Sequence, residues 1–250
     1  MTTKTIAITG ATGQFGAIAL DLLKAKQANI LALVRSPEKI SGAAARQFDY
    51  SKTEGQVEAL QGVDTLILVS SSEVGQRIQQ HKNVIEAAKK AGVKHIIYTS
   101  LLGATNDNTV KSLAGEHVET ESALKASGIT YTILRNGWYT ENYTASIPAA
   151  LANNAFYGSA KNGKISSVLR AELAEAAVNV ALSEGHENQT YELAGSTSWT
   201  LADLAAEISK QTGKDIPYVD IPAADYAAAL VQAGLNEGFA GLIAQWDVDA

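Results

Sequence analysis

The stretch TIAITGATGQFG, from Thr5 to Gly16, places three glycines directly after a short apolar run. The run itself, TIAIT, is rich in β-branched residues, which predicts a buried strand. A strand, a glycine turn and an amphipathic helix in this order are the context that a dinucleotide-binding loop requires. Beyond the glycines, apolar residues do recur at the spacing of one helix face: Phe15, Ile18, Ala19, Leu22 and Leu23.

Each glycine has a separate expected role in such a loop. Gly10 permits the tight turn, Gly13 lets a pyrophosphate approach the backbone because it has no Cβ, and Gly16 lets the helix pack closely on the strand. The helix N-terminus then offers free N–H groups and a positive dipole to the phosphates. The spacing is G-x-x-G-x-x-G rather than the better-known G-x-G-x-x-G, and a flexible turn that binds nothing is the alternative.

The rest of the first half alternates between strands and helices. NILALV, VDTLILVS, VKHIIYTS and ITYTILR predict strands, and AAARQFDY predicts a further extended segment. Long helices are expected over about 74–91 and 112–127, and a brief one after Ser36, which is a potential N-cap before Pro37. This alternation predicts an α/β fold with a doubly wound parallel Rossmann sheet.

The rhythm changes beyond about Asn142. LRAELAEAAVNVAL predicts a helix, YELAG a short strand, and WTLADLAAEISKQTG a helix with Thr200 and Asp203 in a capping box. IPYVDIP and an Ala-rich helical region follow. We therefore expect an NAD(P)-binding Rossmann domain over residues 1–150 and a smaller C-terminal α/β cap on the substrate side over residues 151–250.

Composition narrows the class of protein. The chain has 250 residues, 46% of them hydrophobic, and its 20 Lys and Arg against 26 Asp and Glu give a net charge of −6. Without a basic block, a nucleic-acid partner is not expected. The absence of cysteine excludes disulfides, thiolate nucleophiles and Cys-based zinc sites. No signal-like or membrane-spanning apolar stretch is seen, so we expect a cytoplasmic protein with no membrane partner.

Arg35 bears on the choice of dinucleotide. An acidic residue at the end of the second strand would bind a ribose 2′-hydroxyl, but that position holds Arg35. A guanidinium pairs instead with a 2′-phosphate, and the Ser36 hydroxyl can add a bond. NADPH is therefore expected over NADH, the alternative being a solvated Arg at a strand end.

The catalytic tyrosine of short-chain dehydrogenases is missing. Those enzymes pair a Ser with Tyr-x-x-x-Lys on the next helix, and Ser100 is a candidate for the Ser, but the Tyr and Lys positions hold Leu113 and His117. Tyr157 and Lys161 have the spacing, but we interpret that match as coincidental. An isolated ketone would need a protein acid, because its reduction produces a strongly basic alkoxide. A quinone produces a delocalised anion, so positioning of the acceptor suffices.

His117 allows three interpretations. It can lie near the nicotinamide and relay a proton, which makes it a candidate catalytic residue. With Glu121, one turn on, it can form an ordinary i,i+4 pair on a polar helix face. A metal site would need a third ligand that the sequence does not offer clearly, and we expect none.

Two polar segments follow predicted strands and are expected at the carboxyl edge of the sheet. In RNGWYTENY, Asn136 and Asn142 can bond ribose or carboxamide groups, and Trp138, Tyr139 and Tyr143 can form a flat wall for an aromatic substrate. The alternative is aromatic packing between the main domain and the cap. SSSEVGQ, residues 70–76, either borders the cofactor or simply caps a helix.

Six segments together resemble the NmrA-like group of atypical short-chain dehydrogenases/reductases: AITGATGQFG, LVRSPEK, SSSEVGQR, AAGVKHIIYTSL, EHVETE and LRNGWYTENY. Within that group the chain is similar to the bacterial type 2 NAD(P)H:quinone oxidoreductases, relatives of triphenylmethane reductase. The resemblance spans nearly the whole chain. It implies NADPH binding and quinone reduction without flavin.

Carried over by motif, the resemblance implies that the glycine loop holds the pyrophosphate and that Arg35 holds the 2′-phosphate. It also implies that Ser72 and the segment 136–141 line the cofactor. His117 and Tyr139 are the candidate catalytic residues. The expected cofactor-binding residues are Gly10, Ala11, Thr12, Gly13, Gln14, Phe15, Gly16, Arg35, Ser72, Asn136, Gly137, Trp138, Tyr139, Thr140 and Glu141.

The sequence thus favours an NADPH-dependent reductase that transfers hydride to a quinone or a similar conjugated acceptor, and a homo-oligomer is possible. An NADP(H)-binding redox sensor without turnover is the alternative, because the absent Tyr/Lys pair fits it equally well.

Overall fold

A computed structural model of the chain describes residues 4–104 and 113–250. Nine strands are seen there: β1 (Thr5–Thr9), β2 (Asn29–Val34), β3 (Ala44–Gln47), β4 (Thr65–Leu68), β5 (His95–Leu101), β6 (Thr130–Asn136), β7 (Phe156–Gly158), β8 (Gln189–Leu193) and β9 (Tyr218–Asp220). Ten α-helices accompany them: α1 (Gln14–Ala25), α2 (Gln56–Ala59), α3 (Arg77–Ala91), α4 (Leu113–Ala126), α5 (Thr140–Thr144), α6 (Ile147–Asn153), α7 (Arg170–Leu182), α8 (Leu201–Thr212), α9 (Ala223–Gln232) and α10 (Glu237–Val248). A 3₁₀ turn covers Pro37–Lys39.

Seven strands form one parallel sheet in the order β3-β2-β1-β4-β5-β6-β8. The predicted doubly wound Rossmann sheet is confirmed. The order reverses between β1 and β4, and in such sheets the crevice beyond the carboxyl ends of the strands at the reversal is where ligands bind.

Continuous apolar runs place the central strands in the core. All of β4 is buried, as are most of β1, β2 and β5. Helices cover both faces of a parallel sheet, so its strands need apolar residues on both sides. The helical spacing after the glycines is confirmed too, because Phe15, Ala19 and Leu23 of α1 are buried.

Two elements differ in place from the sequence analysis. It groups the helix 170–182 and the strand near 191 with the C-terminal region, but β8 pairs in parallel with β6, Thr132 opposite Gln189, and completes the main sheet. The pattern of a short strand cannot show its partner, because pairing is decided by contacts distant along the chain. Helix α3 also begins at Arg77 instead of near Val74, after a turn in which Gly75 has a φ of +88°.

By its internal contacts the chain divides into two units. The first comprises residues up to Gly137 together with Arg170–Leu193, and the second comprises Trp138–Leu169 with Ala194–Ala250. The first unit therefore contains the seven-stranded sheet with its helices α1–α4 and α7.

The second unit has its own small core. Strands β7 and β9 pair in parallel, and α8 begins with the predicted capping box between Thr200 and Asp203. Phe156, Leu201 and Ile208 are buried in its hydrophobic cluster. In residues 4–104 and 113–250 no helix combines the length and apolar character that a membrane span requires.

The glycine loop shows why α1 lies where it does. Gly10 has a φ of +61°, which favours glycine, and its carbonyl accepts a bond from the Gly13 N–H at 2.8 Å. A Cβ on Gly16 would lie 2.2 Å from the Gly10 oxygen and 2.7 Å from the Gly10 carbonyl carbon, so only glycine allows this approach of helix to strand.

We expect Gly16→Ala to lower the free energy of unfolding by about 1–3 kcal/mol, because backbone atoms must move to admit the methyl group. An alanine in a helix is otherwise favourable, so the collision decides the sign. Gly13→Ala is the matched control, since its Cβ would lie 3.2 Å from the Gly10 oxygen and needs a shift of only a few tenths of an ångström. Urea unfolding of both variants measures the difference, and equal stability would contradict the packing role.

Candidate cofactor site and the polar layer beside it

Hydrogen bonds align the carboxyl ends of three neighbouring strands, β1, β4 and β5. The Thr9 hydroxyl donates to the Ile67 carbonyl at 3.3 Å and accepts from the Val69 N–H at 2.9 Å, which ties β1 to β4. The Ser70 N–H donates to the Thr99 hydroxyl at 2.8 Å and ties β4 to β5. The loops that follow these strands therefore meet at one edge of the sheet.

The glycine loop presents the start of α1 at this edge. The N–H groups of Gln14, Phe15 and Gly16 precede the first intrahelical donor, Ala17, which bonds to the Gly13 carbonyl. Gly13, the N-cap, supplies no side-chain cap, and the first turn holds no acidic residue. The arrangement suits an anion. Thr12, Gly13 and Gln14 are exposed, whereas Ala11, Phe15 and Gly16 are buried.

Arg35 directly follows β2 at the same edge and is exposed. Among the described residues its guanidinium makes none of the ion pairs seen. Hydrogen bonds from Ser51 lower the pKa of Asp49, and the positive charge of Arg35 adds to this effect. Ser36 occupies the predicted N-cap position of the short turn but makes no side-chain capping bond.

Asn136, at the end of β6, has a buried polar side chain that could bind a ligand. It is 3% exposed, and neither its side-chain nitrogen nor its oxygen has a hydrogen-bond partner among the described residues. Its backbone carbonyl, by contrast, accepts a bond from the Leu102 N–H at 2.8 Å. A buried amide without partners costs free energy, which a bound ligand with its own donor and acceptor can remove.

The residues after Asn136 divide between the units. Gly137 is buried and its N–H donates to the Leu193 carbonyl at 2.7 Å, within the first unit. Trp138 to Glu141 belong to the second unit. There the Thr140 N–H donates to the Val168 carbonyl at 3.0 Å, and Tyr139 forms a bridge with Val168.

The predicted aromatic wall is partly engaged in packing inside the second unit. Trp138 meets Trp246 edge to face with ring centres 4.7 Å apart, and Tyr143 meets Trp199 at 5.0 Å in the same geometry. Asn142 and Ser72, which lies in the first unit, are both exposed.

The Ser100 hydroxyl is engaged in a hydrogen bond and does not have the arrangement of a catalytic serine in a short-chain dehydrogenase. Its hydroxyl donates to Glu121 at 2.6 Å, and Arg135 holds both oxygens of the same carboxylate at 3.0 and 2.9 Å. Burial raises the pKa of Glu121, but the bonds from Arg135 and Ser100 outweigh it and hold the pKa below its ordinary value. Tyr157 and Lys161 do not share a helix, since Tyr157 lies in β7 and Lys161 has a φ of +51°.

His117 lies on α4, 5% exposed, with its Nδ1 2.7 Å from the Tyr98 hydroxyl. Burial, aided by the charge of Arg77, lowers the pKa of His117 to about 3. The imidazole is therefore neutral near pH 7 and cannot itself serve as a cationic acid. It does not pair with Glu121, and no group of three or more His, Asp or Glu in residues 4–104 and 113–250 is arranged to hold a metal.

Sequence reasoning missed the buried polar contacts between α3 and α4. Arg77 and Glu116 form an ion pair at 2.7 Å with side chains 6% and 4% exposed. His81, 0% exposed, accepts a bond at Nε2 from the Ser71 N–H. A signal was present, because Arg77, His81, Val84, Ile85 and Ala88 share one helical stripe, so the two polar members fall on the apolar face.

The comparisons with known proteins agree with this geometry. A family model described as NAD(P)H-binding matches residues 10–184. Quinone oxidoreductase 2 of Escherichia coli K12 is 54% identical over 252 residues, which cover 98% of this chain and 87% of that protein.

Two solved structures share the fold closely. The NADPH-dependent quinone oxidoreductase QOR2 from E. coli, complexed with NADPH, has a TM-score of 0.91 and 52% identity, covering 97% of this chain and 88% of that chain. Triphenylmethane reductase from Citrobacter sp., complexed with NADP(H), has a TM-score of 0.90 and 37% identity with the same coverage. The chain belongs to the NAD(P)H-binding family, and the predicted resemblance is confirmed.

Acid is expected to destabilise the protein through its buried histidines. The pKa of His117 falls from 6.5 to about 3 on folding, and burial lowers that of His81 well below 6.5. Between these values the unfolded chain binds more protons, so stability is lost as the pH falls below about 6.5, by up to about 1.4 kcal/mol per pH unit for each histidine. Urea unfolding at several pH values between 7 and 4 measures this slope.

The variant His117→Asn assigns the slope to its source, because the Asn oxygen lies near the position of Nδ1 and stays neutral. We expect a shallower loss of stability with acid, whatever the stability at pH 7. The same exchange at His186 is the control. Parallel pH profiles for wild type and H117N would contradict the assignment.

Proposed function

We propose that the chain is an NADPH-dependent reductase that transfers hydride to a quinone without a flavin or a metal. The observation that carries this proposal is the 54% identity with E. coli quinone oxidoreductase 2, which extends over 98% of this chain. The geometry supports it, because the residues that match the cofactor motifs of the first unit all lie at the carboxyl edge of the sheet.

The cofactor roles follow from position and chemistry. The N–H groups at the start of α1 suit the pyrophosphate, and the exposed guanidinium of Arg35 suits a 2′-phosphate. Within the part of the chain that the structure describes, the Asn136 amide has an unpartnered donor and an unpartnered acceptor, the pair that a nicotinamide carboxamide complements. Ser72 and the segment 137–141 complete the proposed set of cofactor-binding residues.

NADPH, when bound, supplies a hydride. Reduction of a quinone to a hydroquinone then requires one further proton, which water can deliver because the intermediate anion is delocalised. The chain offers no tyrosine at the position of Leu113, and its Ser100 hydroxyl is engaged with Glu121. The protein's task is therefore to bind and orient the two reactants. His117 and Tyr139 remain the candidate catalytic residues, with His117 acting as a neutral relay.

A steady-state assay tests the function. We expect NADPH consumption that depends on added 1,4-benzoquinone and proceeds without flavin or metal, with NADH a poorer donor. Saturable NADPH binding without turnover across a panel of quinones would instead support the redox-sensor alternative. No saturable binding of either nucleotide would reject both functions.

Arg35→Ala tests the choice of NADPH. Loss of a charge-assisted contact to the 2′-phosphate is expected to raise the Kd for NADPH about 10- to 100-fold and to leave the Kd for NADH nearly unchanged. Lys39→Ala, an exposed cation after the same strand, is the matched control. An equal effect of R35A on both nucleotides would remove Arg35 from the 2′-phosphate site.

Asn136→Leu tests the amide, and its effects on stability and on binding are expected to have opposite signs. Removing two unpartnered polar atoms should leave the stability of the free protein unchanged or raise it by about 1 kcal/mol. The Kd for NADPH should rise about tenfold. Thermal unfolding with and without NADPH measures both effects, and unchanged NADPH affinity would refute the role of the amide.

A further inference from the structure

The segment of residues 71–75, which we call the β4 loop, lies beside the glycine loop. It begins two residues after Val69, and a Cβ on Gly10 would lie 3.8 Å from the Val69 Cβ. The β4 loop is thus a neighbour of the phosphate cradle at the point where the strand order reverses.

One buried ion pair fastens both ends of the β4 loop. At its beginning, Arg77 Nε donates to the Ser71 carbonyl at 2.7 Å. At its end, the Gly75 N–H donates to Glu116 Oε1 at 2.7 Å. Arg77 Nη1 and Glu116 Oε2 are themselves 2.7 Å apart, so the pair closes a bridge across the loop.

His81 supplies a third anchor. Its Nε2 accepts from the Ser71 N–H at 2.9 Å, so that nitrogen carries no proton and Nδ1 carries the hydrogen. Nδ1 lies 3.0 Å from the Thr120 hydroxyl, which in turn donates to the Glu116 carbonyl at 2.9 Å. The anchors from α3 and α4 therefore form one connected network.

Hydrophobic burial does not set the conformation of the β4 loop. Residues 72–75 are exposed, and its one large apolar side chain, Val74, is 53% exposed. A buried ion pair, in turn, commonly adds little net stability compared with an apolar pair of similar volume. The bonds to the loop backbone are therefore the physical effect that distinguishes Arg77 and Glu116 from apolar residues.

We propose that Arg77 and Glu116 are positioning residues that hold the backbone of the β4 loop in the conformation that receives NADPH. The proposal rests on the proposed function for the identity of the ligand. The loop conformation itself is independent of that function, and it can be measured without any nucleotide.

The double variant Arg77→Met/Glu116→Met removes the bonds that these two side chains make to the loop, leaves the His81 anchor in place, and approximately keeps the side-chain volume. We expect the Kd and KM for NADPH to rise about tenfold, because the loop must be ordered on binding. The kcat at saturating NADPH should stay within about twofold, a split that a general loss of folded protein would not produce. Hydrogen exchange at the Gly75 amide, measured without nucleotide, should accelerate at least about tenfold.

Lys82→Met/Glu119→Met is the matched control. It removes another ion pair between α3 and α4, 3.2 Å long with side chains 43% and 38% exposed, whose charged groups do not bond the β4 loop. We expect wild-type NADPH affinity and wild-type exchange at Gly75. An equal effect of both double variants would overturn the proposal, as would wild-type affinity in the folded R77M/E116M protein.

Glu116→Gln decides the question if the double variant does not fold. Its amide can satisfy either Gly75 or Arg77 but not both, so the NADPH Kd should rise about threefold and Gly75 exchange should accelerate. No change in either quantity would overturn the proposal. If the wild type binds no NADPH, the proposed function fails, and Gly75 exchange alone still shows whether the pair holds the loop.

Discussion

The contact between the start of α1 and the end of β1 is the constraint on which the site depends. Gly16 lies so close to Gly10 that a methyl group would come within 2.2 Å of a backbone oxygen. This approach directs the N-terminus of α1 to the edge where the order of the strands reverses. Parallel pairing then brings Arg35, the β4 loop and Asn136 to the same edge, because each follows or ends a strand of that sheet.

Helix α4 lacks the catalytic tyrosine of short-chain dehydrogenases, and its buried polar side chains form hydrogen bonds within the protein. Its buried polar residues Glu116, His117, Thr120 and Glu121 all face partners in the first unit. None of these side chains is a cationic acid near pH 7. The protein's main contribution to the proposed reaction is therefore to orient NADPH and the quinone. A quinone acceptor fits this arrangement because its reduction needs no strong proton donor.

Helix α4 also holds several segments at the carboxyl edge of the sheet in place. Glu116 reaches the β4 loop through Gly75, and Glu121 fixes Ser100 and Arg135 at the ends of β5 and β6. Charges that are costly to bury lie here in closed networks, where each oxygen of the two carboxylates has a donor. The Asn136 amide differs from these groups, because among the described residues neither its nitrogen nor its oxygen has a hydrogen-bond partner. This difference is the basis of its proposed role in binding the cofactor.

The sequence by itself determined the order of the strands and of the longer helices in the first 136 residues, but not the short helix α2. It also determined the glycine loop and the position of Arg35, because these depend on local periodicity, turn chemistry and spacing. It also located Asn136, but only the structure showed that its amide has no hydrogen-bond partner among residues 4–104 and 113–250. The tertiary structure alone decided that β8 joins the main sheet, that Ser100 is engaged with Glu121, and that Arg77 and Glu116 bridge the β4 loop. Those contacts join residues 21 to 57 positions apart, and pairings at such separations are set by packing that no local pattern records.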